Sequence, residues 1–211
     1  MNKRKYTLGE EIFNSTSHAI GAILSILALI IMIWLSVSTK NTVGVISSIV
    51  FGFTLILLYT SSTLYHALTN KTAKKVFQIF DHCSIYLLIA GSYTPFALMV
   101  IGGSKGWIIF GIIWLCAVLG IILNSINLKK FQLFSIVLYV GMGWTAIFYI
   151  KDIFASLDLG GIILLAVGGV LYTLGIIFYL VKKIKYFHSI WHLFVLAGSM
   201  CHVLCVILFV L

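Results

Sequence analysis

The sequence has few charged residues and almost no proline. Only 9% of its 211 residues are charged, 62% are hydrophobic, and there is one proline. A soluble domain is about one quarter charged, so the composition excludes an ordinary soluble protein. Acids are the scarcest charged class, with five against fourteen lysines and arginines. We therefore expect an integral membrane protein that crosses the bilayer several times.

Cysteine is also scarce. The four cysteines at positions 83, 116, 201 and 205 all lie within apolar segments, where cysteine behaves as a small buried hydrophobe. The sequence therefore implies no disulfide framework. Cys201 and Cys205 share a helical face, which leaves a soft-metal site as a minor alternative.

Seven apolar tracts are present, each near the length of about 20 residues that a spanning helix requires. They cover approximately residues 17–39, 43–68, 77–101, 107–126, 132–150, 159–181 and 188–210. The connections are short and polar, which leaves no room for a second domain. Pro95 lies within the third tract and should kink or locally open that helix. The prediction is an all-α, seven-transmembrane bundle, with one membrane domain over residues 17–211.

The basic residues predict the orientation. They fall in short clusters between the apolar tracts and form no continuous patch, which argues against nucleic-acid binding. Eleven of the fourteen lie in the N-terminal segment and the loops on its side, whereas Lys40, Lys105 and Lys151 lie on the other. By the positive-inside rule the N-terminus is cytoplasmic and the C-terminus extracytoplasmic.

Residues 1–16 begin with the basic run of a secretion signal. However, two acids and several polar residues follow it, and the next apolar run is too long for the apolar core of a secretion signal. No small-residue cleavage site follows that run. We interpret this segment as a cytoplasmic leader.

The last tract opens with the sequence HSIWHLFVLAGSMCH, from His188 to His202. His188 and His192 are four residues apart, so both can point at one atom from the same helical face. Ser199 and His202 continue that face. A histidine at hydrocarbon depth is costly unless it faces protein, water or a metal, so this helix either lines a polar interior or holds an ion.

The predicted topology brings further polar residues to the same depth. Ser62 and His66 end the second tract, and Asp81 begins the third. The imidazoles of His66, His188 and His192 would leave one ligand position open, which is the composition of a catalytic zinc site. Water bound to such a zinc ion becomes acidic enough to supply hydroxide. Asp81 is then suited to hold or deprotonate the water, and Ser62 to orient a carbonyl. The reaction class is zinc-assisted hydrolysis of a carbonyl bond in a lipid.

Each remaining histidine has a simpler interpretation. His18 and His82, taken alone, are typical of interfacial side chains that extend toward water. His202 lies deeper, where a hydrogen bond to another helix is the default expectation.

The acids also have simpler interpretations. Asp81 could pair with Lys74 or Lys75, or cap its own helix. Glu10 and Glu11 precede the apolar run and should reach water, so Asp81 is the acid with no obvious route to solvent.

At these residues the sequence resembles the hemolysin III branch of the progestin and adipoQ receptor (PAQR) superfamily. The matching elements are Glu11-x-x-Asn14 with His18, Ser62-x-x-x-His66, Asp81-His82 followed by Tyr-x-x-x-Ala-Gly-Ser-Tyr-Thr-Pro, and His188-x-x-x-His192 through His202. The resemblance implies a zinc ion near the cytoplasmic leaflet, held by His66, His188 and His192. It also implies that Asp81 is bound through water with Ser62 beside it.

The resemblance further implies a function in membrane lipid chemistry. The superfamily includes alkaline ceramidases and is associated with hydrolysis of lipid amides, and its bacterial members are named for hemolytic activity and thought to influence membrane lipid state. We expect a multi-pass protein of a bacterial plasma membrane whose partners are lipids. The outer loops span only a few residues, so they offer little surface for a protein hormone to bind.

Two other functions remain open. A pore should carry polar residues along several helices across the whole bilayer, whereas the outer half of these tracts is almost uniformly apolar. A structural zinc that clamps helices together would make the protein a sensor of membrane state.

Zinc is inferred over iron or manganese from the imidazole ligands.

Overall fold

The computed structural model describes residues 6–181 and 183–211, which are helical apart from short connections. The helices are α1 Leu8–Ser38, α2 Thr42–Ala67, α3 Lys71–Pro95, α4 Gly103–Asn127, α5 Gln132–Trp144, α6 Ile150–Ser156, α7 Leu159–Leu180 and α8 Phe187–Phe209. A π-helical turn, Phe96–Ile101, extends α3, and a 3-10 turn, Thr145–Tyr149, joins α5 to α6.

Seven of the resulting segments are long and apolar enough to cross a membrane, the fifth running from Gln132 to Ser156. The predicted all-α, seven-span bundle is therefore confirmed, and the chain is a multi-pass membrane protein. Four of the basic residues behind the orientation, at positions 3–5 and 182, lie outside the described residues. The orientation itself stays a prediction.

Two helices begin at least six residues before their predicted apolar tracts, which start at residues 17 and 77. α1 begins at Leu8 because Thr7 and Glu10 form a capping box: the Glu10 carboxylate accepts the Thr7 N–H at 2.8 Å, and Thr7 Oγ1 accepts the Glu10 N–H at 3.4 Å. α3 begins at Lys71 because the Asn70 side chain accepts two backbone N–H groups. Hydropathy marks lipid depth, whereas capping residues mark where a helix begins.

Pro95 ends the regular part of α3, and the chain continues as the π-helical turn. Proline has no backbone N–H and its ring blocks the carbonyl one turn earlier, so the hydrogen-bond pattern must change there. Phe96 and Ile101 of the turn line the central cavity described below. The irregular backbone thus lies inside the bundle, away from lipid.

The buried core lies along α2 and α3. One cluster joins α1, α2 and α8 around Met32, Phe51, Leu55 and Val206, and a second joins α3, α4 and α5 around Tyr86. Many large apolar side chains instead face outward, as lipid contact requires.

α4 packs closely on the π-helical turn at Gly106, where an added Cβ would overlap the backbone carbonyl oxygen of Ala97. A Cβ at this position would meet a carbonyl oxygen that cannot move without distorting the turn. Gly111, further along α4, has no atom within 4 Å of the place a Cβ would take.

We expect Gly106→Ala to lower the thermal unfolding midpoint of the detergent-solubilised protein, with a loss of about 1–3 kcal/mol from overpacking. The matched control is Gly111→Ala, which should be neutral or stabilising by about 0.5–1 kcal/mol because alanine favours the helix. Equal midpoints for the two variants would show that the close approach at Gly106 is not a constraint.

Candidate metal centre

We call the end of the bundle at which α1, α3 and α8 begin and α2 ends the N-terminal end. Three imidazoles converge there. His66 comes from the last turn of α2, and His188 and His192 from the first two turns of α8. The Nε2 atom of His188 lies 3.3 Å from Nε2 of His66 and 3.2 Å from Nε2 of His192. In the described part of the chain this is the one cluster found of three or more side chains of metal-ligating type.

These separations fit a bound cation. Zinc–nitrogen bonds of about 2.0–2.1 Å in tetrahedral geometry place two ligand nitrogens about 3.3 Å apart. Without a cation, each pair of facing nitrogens can share only one proton. The cluster could therefore hold a metal ion with three protein ligands, and a fourth position would remain for a further ligand.

The His66 ring is oriented by a carboxylate. Its Nδ1 lies 2.6 Å from Glu11 Oε2, and Glu11 Oε1 lies 2.9 Å from Lys74 Nζ. A proton on Nδ1 leaves the lone pair of Nε2 directed at the other two imidazoles, as in carboxylate–histidine–metal arrangements. Lys74 thus pairs with Glu11, and the suggested pairing of Asp81 with Lys74 is wrong.

Asn14 links the helices that supply the imidazoles. Its Oδ1 accepts a hydrogen bond from Ser189 Oγ on α8 at 2.6 Å, and its Nδ2 lies 3.5 Å from Nδ1 of His66 on α2. Asn14 is fully buried in α1. The first helix therefore fixes the spacing between the second and the last.

Glu10 does not reach water, contrary to expectation, since it is only 1% exposed. Its Oε1 accepts the backbone N–H of Tyr186 at 2.8 Å, immediately before α8. Tyr186 has a positive φ of 65°, a conformation that is uncommon for a bulky residue. Glu10 therefore fastens the beginning of α8 to the beginning of α1.

Tyr6 covers the cluster from outside the helices. Its ring is stacked on His188 with centroids 4.9 Å apart, and it lies 5.7 Å from the ring of His66. Burial raises the pKa of the Tyr6 phenol well above its usual range, so the group stays neutral. An uncharged aromatic ring thus shields the imidazoles at this end of the bundle.

Asp81 and Ser62 lie beside the cluster and are not part of it. Asp81 is buried in the first half of α3, with its Oδ2 3.7 Å from Nδ1 of His82. The Ser62 hydroxyl is buried near the Asp81 carboxylate, in a geometry that falls short of a hydrogen bond. The catalytic roles of Asp81 and Ser62 remain predictions.

The outlying histidines differ from one another. His18 is buried and stacks on His192, with centroids 3.6 Å apart and planes within 14°, so it is not an interfacial side chain. His82 is partly exposed, and its Nδ1 lies 2.8 Å from the Gln78 carbonyl of its own helix. The interfacial role of His82 stays a prediction.

Sequence reasoning missed three contributors, namely Tyr6, Glu10 and Lys74. Glu10 had a usable signal, because Thr7-x-x-Glu10 is a capping-box pattern that places its carboxylate at a helix start. Lys74 lies one turn into α3, and only the packing of α3 against α1 brings it to Glu11. Tyr6 carries no pattern that predicts its stacking.

A cavity of about 310 Å³ lies inside the bundle next to the cluster, although the three clustered imidazoles do not line it. Asp81 and His18 border it near the cluster, and His202 borders it further along α8. The rest of its wall is mainly aliphatic and aromatic and comes largely from α3, α5, α7 and α8. Ile147 and Val170 contribute to the wall and are also about half exposed on the bundle surface. The cavity therefore extends toward the lipid-facing side.

Comparison with known proteins gives consistent similarities. The family model described as haemolysin-III related matches residues 6–203. The chain is 43% identical over 204 residues to a hemolysin-3 homolog of Bacillus subtilis (strain 168), covering 97% of this chain and 96% of that one. It is 43% identical to hemolysin-3 of Bacillus cereus, covering 100% and 96%. It is 29% identical over 163 residues to the human monocyte to macrophage differentiation factor, covering 74% and 67%.

We expect Glu11→Gln to weaken metal retention at this cluster. The amide keeps a polar contact with His66 but lacks the negative charge that orients and polarises the ring. We therefore expect the metal affinity to fall by about 10- to 100-fold, as is typical when such a partner of a ligand is lost. Competition with a fluorescent chelator would measure the loss. The matched control is Asp152→Asn, which removes a carboxylate paired with Lys105 in a different ion pair. If both variants retained metal equally, the orienting role of Glu11 would be refuted.

Proposed function

The chain belongs to the haemolysin-III-related family, and from that premise we propose that it is a zinc-dependent hydrolase of membrane lipid amides. The observation that carries the proposal is the convergence of three imidazoles whose ligand atoms lie within 4.8 Å of one another. Nε2 of His188 lies 3.3 Å and 3.2 Å from the other two, which is the spacing of tetrahedral ligands, and three protein ligands would leave a fourth position for water or substrate. Structural zinc sites usually fill all four positions with protein ligands, whereas catalytic sites keep one for water or substrate.

In the proposal each residue has a distinct task. His66, His188 and His192 would hold the ion, and Glu11 keeps the His66 ring oriented. Bound zinc would supply a Lewis acid that polarises a carbonyl and makes water acidic enough to attack it near neutral pH.

Asp81 and Ser62 would act on the reacting groups. Asp81 would hold the attacking water, take its proton and return that proton to the leaving amine. Ser62, one turn before His66, would orient the substrate carbonyl.

The cavity supports a lipid as the substrate. Its volume of about 310 Å³ lies at the small end of the range for ligand sites, and such sites combine apolar walls with a few polar groups. Asp81 and His18 line the cavity beside the cluster, where a carbonyl would sit, and the apolar wall suits an acyl chain. Access from the lipid-facing side would let the substrate enter without leaving the membrane. The amide linkage is inferred from the family resemblance.

Two other functions have less support. The names of the Bacillus relatives suggest cytolysis, but a conducting pore needs polar groups across the bilayer, and the cavity wall is mostly apolar. A purely structural zinc clamp would have little use for a buried carboxylate beside an open ligand position. Asp81 therefore distinguishes the hydrolase from the clamp.

The metal content of the detergent-purified protein tests the site directly. Elemental mass spectrometry should find about one zinc per wild-type chain, in keeping with three protein ligands. We expect none in a His188→Ala/His192→Ala double variant that still unfolds cooperatively. His82→Gln, a histidine outside the cluster, is the control and should keep its metal. A wild-type protein that holds no metal after zinc supplementation would exclude the hydrolase mechanism.

The chemical step is tested by Asp81→Asn. In lipid nanodiscs, turnover of a fluorescent N-acyl lipid should fall by about 100-fold or more, as expected when a general base is lost. Zinc content and the thermal midpoint should be retained, because the amide has the same shape. Asp158→Asn, at the exposed beginning of α7, should turn over normally. Undiminished turnover in Asp81→Asn would favour the structural clamp.

A further inference from the structure

The N-terminal end of the bundle has more exposed cations than exposed acids. Six described lysines at this end are exposed, namely Lys71, Lys75, Lys129, Lys130, Lys183 and Lys185. The acids of this end do not offset them at the surface. Glu10 and Asp81 are at most 3% exposed, and Glu11 is already paired with Lys74. The surface of this end is therefore positive, and it fits a negatively charged partner.

The last turn of α7 meets the first turn of α5 at this end of the bundle. The Tyr179 hydroxyl of α7 lies beside the side chain of Gln132, the first residue of α5. Tyr179 and Ile136, one turn further along α5, both line the cavity. The loops that continue from these two helices, residues 128–131 and 181–186, are therefore neighbours at one edge of the cavity.

Each of these loops brings two lysines to that edge. Lys129 and Lys130 precede α5, and Lys183 and Lys185 follow α7. We call these four side chains the basic edge. In each loop one ammonium group lies over the aromatic ring of the next residue, at 5.5 Å from the ring centre in the first loop and 5.2 Å in the second. Such contacts keep a charge near the boundary between apolar surface and water, which is the depth of lipid head groups.

The surface next to the basic edge suits acyl chains. Ile147 of α5 and Val170 of α7 are about half exposed and also line the cavity. Trp144 Nε1 of α5 donates a hydrogen bond to Thr173 Oγ1 of α7 at 3.2 Å, so the two helices are adjacent at this depth. Val170 precedes Tyr179 by nine residues, a rise of about 14 Å, which is close to half the thickness of the hydrocarbon core. A lipid with its head group at the basic edge therefore has its chains on the apolar surface where α5 and α7 meet.

We propose that the basic edge binds the phosphate of an anionic phospholipid whose acyl chains lie along the junction of α5 and α7. Several ammonium groups attract one phosphate together, and clusters of lysines beside membrane helices bind anionic lipids for this reason. The inference goes beyond the proposed hydrolase, because binding at the basic edge requires neither a metal ion nor a reaction.

A simpler origin for these lysines is the preference of basic residues for one side of a membrane. That preference concerns the number of charges at one end of the bundle and not their arrangement. It therefore predicts the same effect for Lys71 and Lys75, at the beginning of α3, as for two lysines of the basic edge. α3 begins beside α1, where Lys74 pairs with Glu11. The two pairs of lysines form a matched comparison at the same end of the bundle.

Native mass spectrometry of the detergent-solubilised full-length protein measures the binding of single lipids. The probes are phosphatidylglycerol and phosphatidylcholine with identical acyl chains. We expect the wild-type protein to bind phosphatidylglycerol at least about tenfold more tightly. Lys130→Gln/Lys183→Gln should lower that affinity by about 10- to 30-fold, because two charges near the phosphate are lost, and should leave phosphatidylcholine binding unchanged. Lys71→Gln/Lys75→Gln should lower it by less than about threefold, because exposed charges away from the phosphate are largely screened.

Two further measurements define the partner. Lys130→Arg/Lys183→Arg keeps both charges and should bind phosphatidylglycerol as tightly as the wild-type protein or more tightly. Inorganic phosphate, added as a competitor at millimolar concentration, should not displace phosphatidylglycerol, because the acyl chains add apolar contact that a free ion lacks. All variants should unfold at the wild-type temperature, since the substituted side chains are exposed.

Three results would each overturn the proposal. They are equal binding of the two lipids by the wild-type protein, equal losses in the two glutamine variants, and displacement of phosphatidylglycerol by inorganic phosphate. Equal losses would mean that the charge of the whole end attracts the lipid, and displacement would mean that the basic edge binds a soluble anion. Zinc content and amide hydrolysis do not enter these measurements, so each result leaves the proposed hydrolase untouched.

Discussion

Three imidazoles, with the His188 nitrogen at hydrogen-bonding distance from the other two, constrain the packing at the N-terminal end of this protein. Facing lone pairs repel unless a proton or a cation lies between them, and low-dielectric surroundings strengthen that repulsion. Burial also removes the water that would otherwise relieve it. The arrangement is thus stable only with its partners in place, which explains the dense set of polar contacts around it.

Those contacts come mostly from α1. Glu11 orients His66, Asn14 joins it to Ser189, and Glu10 holds the backbone before α8. Burying any of these polar groups at this depth without a partner would destabilise the fold, and each has a polar partner in another part of the chain. The first helix, which supplies none of the three clustered imidazoles, therefore determines whether they meet.

The sequence predicted the seven spans and the shared face of His188 and His192, because helical periodicity and hydropathy are local properties. It also indicated that His66 and Asp81 reach the same depth, since topology follows from counting spans. It could not show that Lys74 selects Glu11 over Asp81, because that choice depends on how α1 and α3 pack. The burial of Glu10 was missed because a polar segment before an apolar run was assumed to reach solvent, although α1 begins at Leu8.

The bond between Glu10 and Tyr186 joins the first helix of the chain to the last. During synthesis α1 enters the membrane before α8, so the two surfaces that frame the cluster exist together only once α8 has been synthesised. Until then His66 is present without the two imidazoles of α8. Any ion held by all three imidazoles must consequently be acquired after α8 has entered the membrane. A chain that stalls before α8 would keep the contacts of Glu11 with His66 and Lys74 but would lack the two imidazoles that complete the cluster.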